Sequence, residues 1–140
     1  MRSLLIMLLL ALLLPAGLEA KNKTDDAPLA KNEVKGKAPS NYLALSRMHL
    51  SVLVDKNRQY RSLELEVWLQ PKDEENLALA RSKKKDIMAG LQDDFSNYDW
   101  EAFQDSQKGP EIAKRVVAST VTRISGAKLQ DVFIKELVLR

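Results

Sequence analysis

Two consecutive stretches of period-two alternation constrain this chain more than any other feature. In residues 42–54 the even positions Tyr42, Ala44, Met48, Leu50, Val52 and Val54 form one largely apolar face, while Arg47, His49 and Ser51 fall on the other. Successive side chains of a strand point to opposite sides, so the pattern predicts a strand with one buried face. Asp55-Lys56-Asn57-Arg58-Gln59 supplies polar turn chemistry. Residues 60–70 then alternate again, with Leu63, Leu65, Val67 and Leu69 opposite Ser62, Glu64, Glu66 and Gln70. Pro71 cannot donate to a ladder and closes the run. The pair predicts an antiparallel hairpin, and a lone hairpin is at best marginally stable in water, so its apolar face needs a cover.

The cover comes from the next residues. Asp73-Glu74-Glu75 place negative charge in a first helical turn, where the dipole favours it, and Ala80, Ile87, Met88, Leu91 and Phe95 make one apolar stripe. Lys83, Lys84 and Lys85 lie between stripe positions and read as a solvated face. Gly90 weakens the helix and predicts a break near residues 90–95. Asp99 suits the cap of a short turn through Phe103, with a loop from Gln104 to Gly109. In the next helix Pro110 suits a first turn, and Ile112, Val116, Val117, Val121 and Ile124 share a face before Gly126 stops it. Finally Leu129 to Leu139 is apolar on both sides around Asp131, Lys135 and Glu136, which predicts a strand paired inside the sheet. The order predicts a small α+β domain: a largely antiparallel sheet, built from the hairpin and the returning strand, with two to three helices packed on one face.

Charge and hydropathy divide the chain into three parts. Fifteen of the first 20 residues are apolar, and the run from Leu4 to Leu14 follows Met1-Arg2-Ser3 and precedes Pro15-Ala16-Gly17. This is the pattern of a signal peptide over residues 1–20, cleaved after Ala20; the reading it displaces is a short membrane anchor, for which eleven apolar residues fall below the roughly 20 that span a bilayer. Residues 21–40 carry a net charge of +2, Pro28, Gly36 and Pro39, and few large apolar groups, the composition of a flexible linker spanning about 25 Å. The domain over residues 41–140 is left with a net charge of only +1. The basicity that would invite a nucleic-acid reading therefore belongs mostly to the linker, and an exported domain has no nucleic-acid partner to meet.

Chemistry narrows the function further. The chain has no Cys and one His. That excludes a disulfide scaffold, a thiolate metal site, a cysteine nucleophile and any site built on two imidazoles. His49 and Ser51 lie on one strand face about 6.8 Å apart, too far for a nucleophile and its base. Asp93, Asp94, Asp99, Glu101 and Asp105 lack the spacing of a calcium loop and read as helix-end capping. No glycine-rich phosphate loop occurs. No enzyme and no cofactor are expected, so function must come from surfaces. Phe95, Tyr98, Trp100 and Phe103 are expected to plug the gap where the chain turns back on the sheet, while Tyr98 and Trp100 are also candidate partner contacts. Trp68, on the polar face of its strand, is a separate candidate.

These elements, taken in order, resemble the FliL family of flagellar basal-body-associated proteins. The resemblance covers residues 41–140. It rests on the strand ending His49-Leu-Ser-Val-Leu-Val54, the strand Leu63-Glu-Leu-Glu-Val-Trp-Leu69, the helix carrying Lys85-Asp-Ile-Met-Ala-Gly-Leu91, the Pro110 to Gly126 helix, and a last strand opening Asp131-Val132-Phe133. It implies a stomatin-type fold in the periplasm, assembling as a homo-oligomeric ring around the flagellar stator and supporting motility without catalysis. Partners would be stator or basal-body proteins, with inner-membrane association if the leader is retained. Members of the family have a short cytoplasmic tail and a full membrane helix, from which this sequence departs. The competing expectation is an exported stomatin-like scaffold or binding module unrelated to flagella.

Overall fold

The computed structural model describes residues 36–54 and 59–140. The leader over 1–20, residues 21–35 of the expected linker over 21–40, and residues 55–58 of the expected turn over 55–59 lie outside the described residues. The alternating stretches form β1 (Leu43–Leu53) and β2 (Tyr60–Pro71), paired antiparallel from Leu43↔Leu69 to Leu53↔Tyr60. One correction to the reading of β1 follows from its register. Leu45 pairs with Val67 and Met48 with Leu65, so Ser46 and Arg47 together oppose the single residue Glu66. This bulge inverts the parity of the strand. Leu43 and Leu45 face the core with Met48, Leu50 and Val52, while Tyr42 and Ala44 do not.

The helices follow on one side of the sheet. α1 (Glu74–Ser82) is capped by Asp73, whose carboxylate accepts from the Asn76 amide at 2.9 Å. The helix does not break at residues 90–95 as expected. It breaks at Lys83, where φ −104 and ψ 12 leave helical geometry, and α2 (Lys84–Phe95) runs unbroken through Gly90. Gly90 is there because α2 crosses α4 (Lys108–Ser125) at that point: a Cβ on it would stand 2.2 Å from Ile124 Cδ1. Between them lies α3 (Glu101–Gln104). Asp105 starts α4, its carboxylate accepting from the amides of Gln107 (2.9 Å) and Lys108 (2.8 Å), so the helix opens before Pro110. Gly126 ends α4 with φ 70, a left-handed conformation that disfavours a Cβ.

β3 (Leu129–Leu139) returns antiparallel to β2, completing a three-stranded sheet of order β1-β2-β3. The α+β fold with its helices against one face of an antiparallel sheet is as the sequence predicts. The position of β3 is not: it is an edge strand, and β2 is the strand paired on both sides. Leu45, Leu50, Leu63, Leu65, Leu69, Ile87, Leu91, Phe95, Val117 and Val121 form the centre of the core. Phe95 and Phe103 stack at 5.5 Å, closing the end of the sheet where the chain turns from α2 to α4. Among the described residues, no helix is long and apolar enough to cross a membrane.

Candidate functional site

The helices leave one sheet face uncovered, and its middle is organised by two bulges at one level. On the β1 side, Arg47 is added opposite Glu66; on the β3 side, Glu66 pairs with Glu136 and Val67 with Ile134, so Lys135 is added. Bulges re-aim side chains, and here both deliver a cation to the same carboxylate. Lys135 Nζ lies 2.7 Å from Glu66 Oε1, Arg47 lies 3.8 Å from Glu66 Oε2, and Arg47 also donates to Glu136. Towards one end of the face Arg140 Nε donates to Glu64 Oε1 at 2.5 Å, with His49 Nδ1 at 3.8 Å from the same oxygen. The Arg140 hydrogen bond holds the Glu64 carboxyl below the usual carboxylate range against the desolvation that raises it, with the charges of Arg140, His49 and Arg47 adding to the effect.

Towards the other end the face becomes aromatic. The Tyr42 ring meets Trp68 edge-on at 6.3 Å, Phe133 lies 5.9 Å from Trp68 on its other side, and Lys135 Nζ stands 5.8 Å over the Trp68 ring. These three neighbours leave Trp68 only 7% exposed although no helix covers it. The uncovered face is thus half ionic network and half aromatic row. Charged and aromatic groups already engaged with their neighbours have less side-chain freedom to lose on docking, which suits recognition.

The three aromatic residues singled out from the sequence are not brought together. Trp68 belongs to the uncovered face. Trp100 is 6% exposed in the core, beneath the Arg61 guanidinium at 5.4 Å, and its amide donates to the Leu53 carbonyl. Tyr98 beside it is 39% exposed, with its ring 6.0 Å from Phe103. Sequence reasoning missed the Arg47, Glu66, Lys135 and Glu136 network, which depends on pairs far apart in the chain. The one local signal is the pair Ser46-Arg47, which interrupts alternation between Leu45 and Met48.

Other candidates for chemistry are engaged structurally. His49 is exposed on the strand beside Glu64. In the acidic segment, Asp105 caps α4 and Asp94 is held by Thr120 Oγ1 (2.5 Å) and Arg123 (2.6 Å). Burial raises the Asp94 carboxyl, but the hydrogen bonds from Thr120 and Arg123 and the charge of Arg123 bring it below the usual range. Among the described residues no three potential ligands are grouped to hold a metal ion. No family model matches the chain, and no curated protein matches it.

Proposed function

We propose that this protein is a non-enzymatic, periplasmic accessory component of the bacterial flagellar motor, similar to the FliL family, that acts by self-assembly and by contact with stator or basal-body proteins to support motility. The observation that carries the reading is the ordered set of elements: an alternating hairpin, helices on one face, and a strand opening Asp131-Val132-Phe133 that returns to the hairpin's second strand. An uncovered sheet face carrying an ionic network and an aromatic row supports function by contact rather than by catalysis. The uncovered face, with Trp68 at its aromatic end, is the surface offered to a partner, and Tyr98 is a smaller second contact. The protein resides in the periplasm, or at the inner membrane facing it if residues 1–20 are retained.

The test is a deletion strain. Swimming in soft agar and swarming against a load are expected to fall while flagellar filaments still form. Normal motility under load in the deletion strain overturns the proposal. One observation favours the second reading, an exported scaffold unrelated to flagella: the apolar run of eleven residues suits a cleaved leader better than the family's membrane helix. The deletion strain separates them, because loss of a scaffold unrelated to flagella leaves motility unchanged, whereas mass spectrometry of the N-terminus from the native host tells only whether the chain keeps a membrane tether of its own.

A further inference from the structure

The two edges of the sheet are treated differently. Gln92 closes that of β1, its amide donating to the His49 carbonyl (2.9 Å) and accepting from the Ser51 amide (3.0 Å). Further along, Leu53 exchanges backbone bonds with Tyr98 and Trp100. The outer edge of β3 has no strand or helix backbone against it among the described residues. A shallow groove of about 230 Å³ borders it instead, between Lys114, Arg115 and Ala118 of α4 and residues 129–132. An open edge is a template for another strand.

Its hydrogen-bonding phase is set by the Arg140 amide, which donates to the Ser62 carbonyl at 2.9 Å. In an antiparallel ladder alternate residues turn their peptide groups inward, so those of Leu137 and Leu139 turn outward. Past the bulge at Lys135, so do those of Ile134 and Val132. The Val132 amide is in fact held by the neighbouring Asp131 carboxylate at 2.7 Å, as an amide without a ladder partner would be.

We propose that β3 pairs antiparallel with β3 of a second copy, about a two-fold axis normal to the sheet that passes between Lys135 and Glu136, joining two three-stranded sheets into one. Directly opposed residues must share a face and a hydrogen-bonding phase. The bulge shifts parity halfway along β3, so only an axis between two residues satisfies this. The outward peptide groups of Val132 and Ile134 then meet those of Leu139 and Leu137 of the second copy, each pair on the core side. On the uncovered face Asp131 meets Arg140, Phe133 meets Val138, and Lys135 meets Glu136. Every charge faces its opposite, and every apolar side chain faces an apolar one. Sliding by two residues sets Asp131 against Val138, Phe133 against Glu136 and core-side Ile134 against Lys135, so charge and face together select one register. Both uncovered faces would then lie on one side of the joined sheet. This pairing rests on the geometry and sequence of β3 and holds whether or not the partner is a flagellar one; the deletion strain tests that reading separately.

The chain has no native Cys to confuse a cross-linking test. In the full chain, the double variant D131C/R140C is expected to give a covalent dimer under mild oxidation on a non-reducing gel. Within one chain these positions are nine residues apart on a strand, about 30 Å, beyond the roughly 7 Å a disulfide allows. D131C/V138C, which matches the slipped register, is expected to give no covalent dimer on the same gel. D131R, which opposes two arginines at two places per dimer, is expected to weaken association about tenfold in sedimentation. A wild-type chain that sediments as a monomer across a concentration series overturns the proposal, as does equal cross-linking of the two Cys pairs.

Discussion

Replacing Gly90 by Ala sets helix propensity against packing, and the structure decides the sign. Gly90 lies in the interior of α2, where Ala is favoured over Gly by about 1 kcal/mol. Against that gain, the new Cβ would stand 2.2 Å from Ile124 Cδ1 and 3.2 Å from Thr120 Cγ2. Carbon atoms rest about 3.5 to 4.0 Å apart, so Cδ1 must retreat by roughly 1.5 Å. Thr120 gives little, being fully buried with its hydroxyl 2.5 Å from Asp94 and 2.8 Å from the Val116 carbonyl. Overpacking of this kind costs about 1 to 3 kcal/mol. G90A is therefore expected to lower stability by about 1 kcal/mol net, or about 4 to 8 °C in Tm for a domain of this size. Ile124→Val removes the clashing methyl and alone costs about 0.5 to 1 kcal/mol. In that background G90A should be neutral or stabilising, so the two changes should couple by at least about 1 kcal/mol in a double-mutant cycle. Urea and thermal unfolding of the four proteins, followed by circular dichroism, measure it. A G90A chain more stable than wild type, or two strictly additive effects, would refute the crossing as the reason for the glycine.

Two expectations concern the acidic segment. Asp94 has a folded pKa below its ordinary 3.8, so its contribution is complete above pH 3.8 and is lost as the pH falls through the lowered folded value. D94N is accordingly expected to cost about 1 kcal/mol at neutral pH, with the gap to wild type closing in acid; a gap independent of pH in urea titrations would contradict this. Asp105→Ala removes the acceptor for two amides at the start of α4 and is expected to lower Tm, with faster hydrogen exchange at Gln107 and Lys108 and little change at Val121.

What the sequence made legible was whatever repeats locally. Alternation revealed β1 and β2, and the start and stop of β3 coincide with the observed strand, because a strand half-buried on a core writes its period into consecutive residues. Gly126 stopped α4 because a positive φ suits a residue without Cβ. The bulges were hidden because each shows only as one surplus polar residue, while its register is set across the ladder. β3 was read as interior because it is apolar on both sides. That pattern reports burial on two faces, beneath by α4 and on the uncovered face by the side-by-side packing of Phe133 with Trp68, and says nothing of its two edges. The ionic network was illegible for a related reason: its partners lie 69 and 89 residues apart, and only the folded sheet makes them neighbours.

The central place of β2 has a consequence for how the chain comes to fold. Its first neighbour, β1, is separated from it by only six residues, and a hairpin of this kind closes in about 1 to 10 μs. Its second neighbour is far along the chain, with Glu64 and Arg140 separated by 76 residues, so that ladder waits on the slow closure of a long loop. Until then Leu63, Leu65, Val67 and Leu69 sit on a strand with one side unpaired. Substitutions that weaken β3 should therefore act less on the finished molecule than on this interval, lengthening the time during which the middle strand is available to the wrong chain.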